Sequence, residues 1–247
     1  ASLVEDFNSA ISNANDKVKI YRTTAATTVD IRYDLTGFIP KAAVLTDGGN
    51  QAIHMNYFAV CNVPSSNYML LQGIQLATSC FTFASEPHNS RTGQEVDEAI
   101  AGIKTFVQMG GNFLAQCEAV QTYENSSIGR FQTTTGITDA NSTAGTAISY
   151  PNPDLSFSQF EGSYSVSKGG SLQNWRINAT GTNNYHSHAR ATADNTVIGA
   201  SVSKHYSGPG GLVFYIGNHR FDDQLTTLTS VNGLRMYMNA FLTPAGI

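Results

Sequence analysis

The chain has 247 residues, with 14 basic and 18 acidic side chains and a net charge of −4. This length suits one α/β domain, alone or with a small attachment. The acidic balance excludes the basic surface that nucleic-acid binding requires, and no segment approaches the roughly 18 consecutive apolar residues of a membrane span. We therefore expect no nucleic-acid partner and no membrane insertion.

Charged residues make up only 13% of the chain, whereas soluble domains average about 25%. Ser, Thr, Asn and Gly take their place. A polar but uncharged composition is typical of secreted and cell-surface proteins, and it predicts that location here. Three sequons would accept N-linked glycans in a suitable host, at Asn125, Asn141 and Asn178.

The hydrophobic pattern divides the chain into two parts. Residues 1–39 are predicted to form an N-terminal attachment with one short helix and two strands, and residues 40–247 an α/β domain. Strands alternate with helices in the first half of this domain, which indicates right-handed crossovers and a doubly wound, mainly parallel sheet. The predicted strands are 41–47, 68–72, 80–85 and 112–117, and the predicted helices are 51–62 and 94–109.

The second half of the domain has a different pattern. Segments 184–192 and 197–206 flank a turn and predict an antiparallel hairpin, followed by a strand at 211–218 and a helix at 225–242. A two-by-two register places His186 opposite Ser203 and His188 opposite Ser201.

That register puts three histidines, His186, His188 and His205, on one face of the hairpin. Three imidazoles on one strand face could bind zinc or copper. The alternative is a solvated polar face, because Arg190 lies among the histidines and disfavours a cation.

Three cysteines allow one disulfide at most. Cys61–Cys80 is the favoured pair because these residues are close in sequence, which leaves Cys117 as a thiol. Three reduced cysteines are the alternative.

Two segments carry a family resemblance, 106-FVQMGGNFLAQCEAV-120 and 208-GPGGLVFYIGNHRFDD-223, together with a strand that ends in Asp-Gly-Gly. In this order the chain resembles the class I glutamine-amidotransferase-like superfamily over about residues 40–243. The similarity is closest to the ThuA-like (trehalose-utilisation) branch. The resemblance implies a three-layer, flavodoxin-like fold.

The resemblance also implies a catalytic cysteine in a tight turn between a strand and a helix, with a histidine on a late strand. Cys117 and His219 match these positions, and Asp222 is the residue that could orient the histidine. Glu118 belongs to the same candidate site, although its carboxylate opposes thiolate formation. Alanine at both flanks of Cys117 lacks the freedom of glycine at positive φ. Cys117 could equally be a buried packing residue.

Further binding residues are predicted after the strand at 80–85, where doubly wound sheets bind ligands. They are Glu86, His88 and Asn89, and the alternative is an ordinary polar turn. Aromatic residues of the second half, Trp175 among them, could stack on sugar rings or pin loops to the core.

Two functions from different classes follow. The first is a non-catalytic, extracellular or cell-surface module that acts in interaction or structural assembly, with carbohydrate or neighbouring protein subunits as partners. The second is a cysteine-dependent hydrolase that uses Cys117, His219 and Asp222 on a glycan- or amide-like substrate. Neither function implies a cofactor.

Overall fold

A computed structural model of the chain describes residues 18–22, 29–33, 40–140, 148–152, 172–178, 186–204, 210–221 and 227–245. The chain divides into two compact units, Ala1–Ile39 and Pro40–Ile247. In the first unit, β1 (Val18–Arg22) pairs antiparallel with β2 (Val29–Tyr33). No helix of the described ranges is long and apolar enough to cross a membrane.

The second unit alternates strands and helices along the chain. Its elements are β3 Ala42–Leu45, α1 Ala52–Val60, β4 Tyr68–Leu71, β5 Phe83–Glu86, α2 Gln94–Gln108, β6 Asn112–Gln116, α3 Glu118–Asn125, β7 Ile137–Asp139, β8 Ile148–Ser149, β9 Trp175–Ile177, β10 His186–Ala191, β11 Ile198–Lys204, β12 Leu212–Ile216 and α4 Leu228–Leu242. Short 3₁₀ helices at Ser65–Asn67 and Gly73–Thr78 precede and follow β4.

Five parallel strands form the centre of one sheet, in the order β4-β3-β5-β6-β12. This is the flavodoxin-like arrangement 2-1-3-4-5. Beyond β12 the sheet continues antiparallel through β11, β10 and β8. The predicted three-layer fold is confirmed, as are the parallel placement of the four early strands and the antiparallel hairpin.

Side chains of the central strands alternate between two helical layers, because successive residues of a strand point to opposite faces. On β5, Ala84 belongs to the core cluster that includes Ile103 of α2 and Val120 of α3. Phe83 instead contacts Tyr237 and Phe241 of α4 on the opposite face. Both faces are buried, which explains the continuous apolar runs in these strands.

The register predicted for the β10–β11 hairpin is wrong. His186 pairs with Val202 rather than with Ser203. Irregularities on both sides of Ala189 shift the pairing along the hairpin, and a one-residue slip moves a side chain to the other face. The two-by-two register therefore does not hold along this hairpin.

Glu124 on α3 is a buried carboxylate that ties this helix to the sheet and to the following loop. It accepts hydrogen bonds from the Thr133 backbone and hydroxyl, at 2.6 and 2.7 Å, and from the Tyr215 hydroxyl at 2.7 Å. Burial raises the pKa of Glu124, and these hydrogen bonds oppose the rise.

We expect Glu124→Ala to lower the free energy of unfolding by about 2–4 kcal/mol, because it leaves several buried donors without an acceptor. Tyr215→Phe removes one of those donors and should cost about 1–1.5 kcal/mol. Glu98→Ala, on the exposed side of α2, is the control and should stay within about 0.5 kcal/mol of the wild type. Guanidinium unfolding measures all three. A loss at Glu124→Ala no larger than that of the control would contradict this role.

Candidate functional site

Cys117 lies at the sharp turn between β6 and α3. Its backbone has φ 55° and ψ −139°, and it precedes the first helical residue, Glu118. The Cys117 N–H donates to the Ile216 carbonyl at 3.0 Å, which fixes the turn beside β12. Positive φ is costly for a residue with a side chain, by about 1–3 kcal/mol, and such strain clusters at functional sites.

The structure corrects the expectation about the flanking alanines. The positive φ falls on Cys117 itself, whereas Ala115 lies in β6 and Ala119 lies in α3. Both alanines are fully buried. The turn therefore needs small flanking side chains for close packing, and it does not need glycine at those two positions.

Two imidazoles share this edge of the sheet with the thiol. His88 follows β5 and His219 follows β12, and these two strands flank β6. One ligand atom of each of Cys117, His88 and His219 lies within 4.8 Å of the others. The two imidazole rings are nearly perpendicular, at 84°, with their centroids 5.7 Å apart. Burial, followed by the charge of His219, lowers the pKa of His88 below its usual value.

Access to the thiol is restricted. Cys117 is fully buried, whereas His88 and His219 are both partly exposed. A small molecule would therefore reach the sulfur from the side of the two imidazoles.

Glu86 ends β5 and is also fully buried. Its Oε2 accepts a hydrogen bond from the Tyr123 hydroxyl at 3.0 Å, and Asn89 donates to that same hydroxyl at 3.1 Å. Burial, with the charge of Asp47 as a second cause, raises the pKa of Glu86 well above its ordinary value. Burial therefore favours the protonated form of this carboxyl group.

Asp47 follows β3 and Glu86 is the last residue of β5, and the order of the sheet reverses between these neighbouring strands. Doubly wound sheets bind ligands at this switch point. Gly48 lets the two loops meet, because a Cβ there would lie 1.8 Å from the His88 carbonyl oxygen and 2.5 Å from the Asn89 Cα. The Asp-Gly-Gly motif thus has a steric role in positioning His88.

Buried polar atoms without a hydrogen-bond partner among the described residues mark this edge. They include His88 Nδ1 and both polar side-chain atoms of Asn218. Asn218 is fully buried, has φ 74° and directly precedes His219. Such atoms are rare in native proteins, and their concentration here indicates a site for a polar ligand.

A buried polar network lies on the opposite face of the same strands. His54 of α1 contacts the Ser85 hydroxyl at 3.0 Å and donates from Nε2 to Gln116 Oε1 at 2.9 Å. Gln116 precedes Cys117, and its amide donates to the Tyr57 hydroxyl at 3.3 Å. That hydroxyl also accepts the Phe221 backbone N–H at 2.9 Å. The network therefore links the residue before the thiol to the loop that carries His219.

Sequence reasoning missed His54, Asn218 and Asp47. Asp47 and Asn218 each follow a buried strand, so their position at strand ends was a usable signal. His54 gave no such signal, because it lies in the middle of a helix and meets its partners only through the packing of α1 on the sheet.

A cavity of about 240 Å³ opens at the same edge, beyond Asp47. Its lining also includes Thr46, Gln72, Arg91 and Glu95. Arg91 lowers the pKa of Asp47 through its charge, but burial outweighs this and the pKa of Asp47 is raised.

The other predicted site residues have mixed outcomes. Asp222, His205 and Asn141 lie outside the described residues, as do the side chains of His186 and His188. All three cysteines are described, and each carries a thiol, so the Cys61–Cys80 disulfide is not formed.

The side chains of the two described sequon asparagines have structural contacts. The Asn125 amide donates to the Ile137 carbonyl at 3.0 Å, and the Asn178 amide donates to the Thr135 carbonyl at 3.3 Å. The same nitrogens would carry the predicted glycans. Trp175 is buried in the core against Tyr215, so it does not offer a face to a sugar.

Comparison with known proteins supports the fold. No protein-family model and no curated protein sequence matches the chain. Among solved structures, a candidate GMP synthase subunit from Thermoplasma acidophilum is similar with a TM-score of 0.53 and 11% identity, over 82% of this chain and 92% of that chain. A cytoplasmic protein from Salmonella typhimurium LT2 has a TM-score of 0.49 at 11% identity, over 93% and 96% of the two chains. The first similarity shows that the two chains share a mixed α/β fold.

We expect Gly48→Ala to lower the free energy of unfolding by about 2–3 kcal/mol, because the new methyl group would overlap the His88 backbone. Gly49→Ala is the matched control. It has φ +85° but no atom within 4 Å of the new Cβ, so it carries only the conformational cost of about 1–2 kcal/mol. Guanidinium unfolding of both variants measures the difference, and equal losses would argue against the close approach.

We expect Glu86→Gln to change how stability depends on pH. The native carboxyl keeps its proton above the ordinary pKa of 4.5, so the native state binds more protons than the unfolded chain and stability falls as the pH rises through that window. The variant lacks this loss, which has a slope of at most about 1.4 kcal/mol per pH unit. Its melting temperature should therefore rise relative to wild type as the pH increases above 4.5. The control Glu95→Gln, at an exposed position, should show the same dependence of melting temperature on pH as the wild type. If the curve of Glu86→Gln also runs parallel to that of the wild type, the pKa of Glu86 is not raised in the folded protein.

Proposed function

We propose that this protein is a cysteine-dependent hydrolase in which Cys117 is the nucleophile and His219 is its general base. The observation that carries the proposal is a thiol at a strained turn, with two imidazoles beside it. The Cys117 sulfur and one ring nitrogen of each of His88 and His219 lie within 4.8 Å of one another. A buried packing cysteine needs neither a positive φ nor a pair of histidines. Acyl transfer needs both a nucleophile at a sharp turn and an adjacent base.

The reaction would proceed through an acyl-thioester. His219 takes the thiol proton, Cys117 Sγ forms a bond to the carbonyl carbon, and the bond to the leaving amine or alcohol breaks as that group takes the proton back. Water then cleaves the thioester and restores the thiol. The amino end of α3 begins at the next residue and favours the thiolate.

The residues around the thiol suit a substrate with polar groups. The Asn218 amide has both of its polar atoms available to a ligand, and burial of the nearby Glu86 carboxyl favours its protonated form. An amide-like substrate, or a glycan that carries an amide- or ester-linked acyl group, fits this lining and agrees with the ThuA-like branch that segments 106–120 and 208–223 resemble. The composition of 13% charged residues and the three sequons support action outside the cell.

A non-catalytic interaction module is the second candidate, favoured by a different surface. β4 is the edge strand of the parallel sheet, and it exposes Met69 and Leu70 on opposite faces, with Ile74 exposed shortly after it. Exposed apolar edge strands accept an extended segment of another chain. This candidate requires no chemistry at Cys117.

Trapping of the acyl-enzyme separates the two candidates. The protein is incubated with a panel of activated aryl esters and amides, quenched in acid and mapped by mass spectrometry. We expect an acyl adduct on Cys117, and Cys117→Ala should lose both the adduct and the release of the aryl group. Turnover by Cys117→Ala at the wild-type rate, or the absence of an adduct with every ester tested, would contradict the hydrolase and favour the interaction module.

We further expect Cys117 to be an activated thiol. In a Cys61→Ser, Cys80→Ser background, alkylation of Cys117 by iodoacetamide should show an apparent pKa below the roughly 8.5 of an ordinary cysteine. His219→Ala should raise this pKa, because the imidazolium no longer stabilises the thiolate. Cys80 in a Cys61→Ser, Cys117→Ser background gives the reference rate of an exposed thiol. A pH profile that is the same with and without His219 would remove His219 from the mechanism.

A further inference from the structure

The three side chains at the turn also have the composition of a metal site. Two imidazoles and a thiolate are ligands that Zn²⁺ prefers, and zinc sites with three protein ligands keep a fourth position for water. The ligand atoms of His88, Cys117 and His219 lie within 4.8 Å of one another. In a tetrahedral zinc site such atoms are about 3.3–3.6 Å apart, so binding of an ion requires the side chains to draw together by about 1 Å.

We propose that His88, Cys117 and His219 form a binding site for Zn²⁺, with water as the fourth ligand. This site is different from the histidine set of the β10–β11 hairpin. It depends on the geometry of these three residues and does not depend on the proposed hydrolase activity.

The surroundings of the three ligands favour a cation. His88 Nδ1 is buried and has no hydrogen-bond partner among the described residues, and a metal ion would supply one. Each ligand follows a different strand of one parallel sheet, so the backbone that carries all three is rigid.

Binding replaces a proton with the metal. The S–H bond of Cys117 breaks, the proton goes to solvent, and a bond forms between the sulfur and zinc with no change of oxidation state. A thiolate held in this way cannot attack a carbonyl carbon. Zinc would therefore act as a reversible inhibitor of a nucleophilic Cys117.

Cobalt substitution tests the site directly. The full chain, reduced and freed of metal with a chelator, is titrated with Co²⁺ and followed by absorption spectroscopy. We expect one equivalent to give a thiolate-to-cobalt charge-transfer band in the near ultraviolet, together with intense visible bands of a four-coordinate ion. Cys117→Ser should lose the charge-transfer band, and the Cys61→Ser, Cys80→Ser variant should keep it. A wild-type spectrum without that band, or a band that survives in Cys117→Ser, would overturn the proposal.

Zinc affinity, measured by competition with a colorimetric chelator, tests the imidazoles. His88→Ala and His219→Ala should each weaken binding at least about tenfold, and affinities equal to wild type would exclude both histidines. If circular dichroism shows that a histidine variant is unfolded, the thiol-protection experiment on the wild-type protein decides whether zinc binds here.

In that experiment, one equivalent of Zn²⁺ should slow alkylation of Cys117 at least about tenfold, and a chelator should reverse the effect. Alkylation of the exposed Cys80 should stay unchanged. Equal effects on both thiols, or none on Cys117, would contradict a site at Cys117.

The two proposals fail in different ways. The cobalt spectrum requires no substrate, so its absence overturns the metal site and leaves the acyl-enzyme experiment valid. An intact cobalt spectrum without any acyl adduct overturns the hydrolase and leaves the metal site.

Discussion

The parallel pairing of β6 with β12 is the constraint on which the candidate site depends. Gln116 is in register with Ile216, and the Cys117 N–H continues the ladder by donating to the Ile216 carbonyl at 3.0 Å. Residues that are far apart in sequence therefore follow adjacent strand ends. Because β5 pairs with the other side of β6, His88 is brought to the same edge. The β6–β12 pairing thus brings His219 to the thiol, and the β5–β6 pairing brings His88.

The strands at this edge carry different chemistry on their two faces. Glu86 and the turn at Cys117 face the layer of α2 and α3, where buried polar atoms lack partners among the described residues. Ser85 and Gln116 face the opposite layer, where His54 satisfies both of them. A buried network in which every polar group is hydrogen-bonded holds its residues in one arrangement. Buried polar groups without a partner cost free energy unless a ligand supplies the missing hydrogen bonds. The contrast indicates a rigid support beneath a site that binds something polar.

Sequence and structure agree where a local pattern decides the outcome. Apolar runs of four to six residues between helical segments predicted the central strands, because a strand buried on both faces has few polar positions. The hairpin was recognised from its turn, but its register was not, because a bulge near Ala189 depends on neighbouring strands and leaves no mark in the alternation of side chains. The favoured disulfide failed for a similar reason, since closeness in sequence does not bring Cys61 and Cys80 together in space.

The sequence by itself determined the class of the fold, the position of the cysteine turn and two of its neighbours, His219 and His88, because residues after buried parallel strands gather at one edge. Only the tertiary structure decided that the positive φ belongs to Cys117 rather than to its flanking residues, and that His88 and His219 meet each other at this thiol. It also decided that Glu86 is fully buried, which raises its pKa. Burial, backbone strain and the spacing of three distant side chains arise from packing between layers, and no single segment of sequence encodes them.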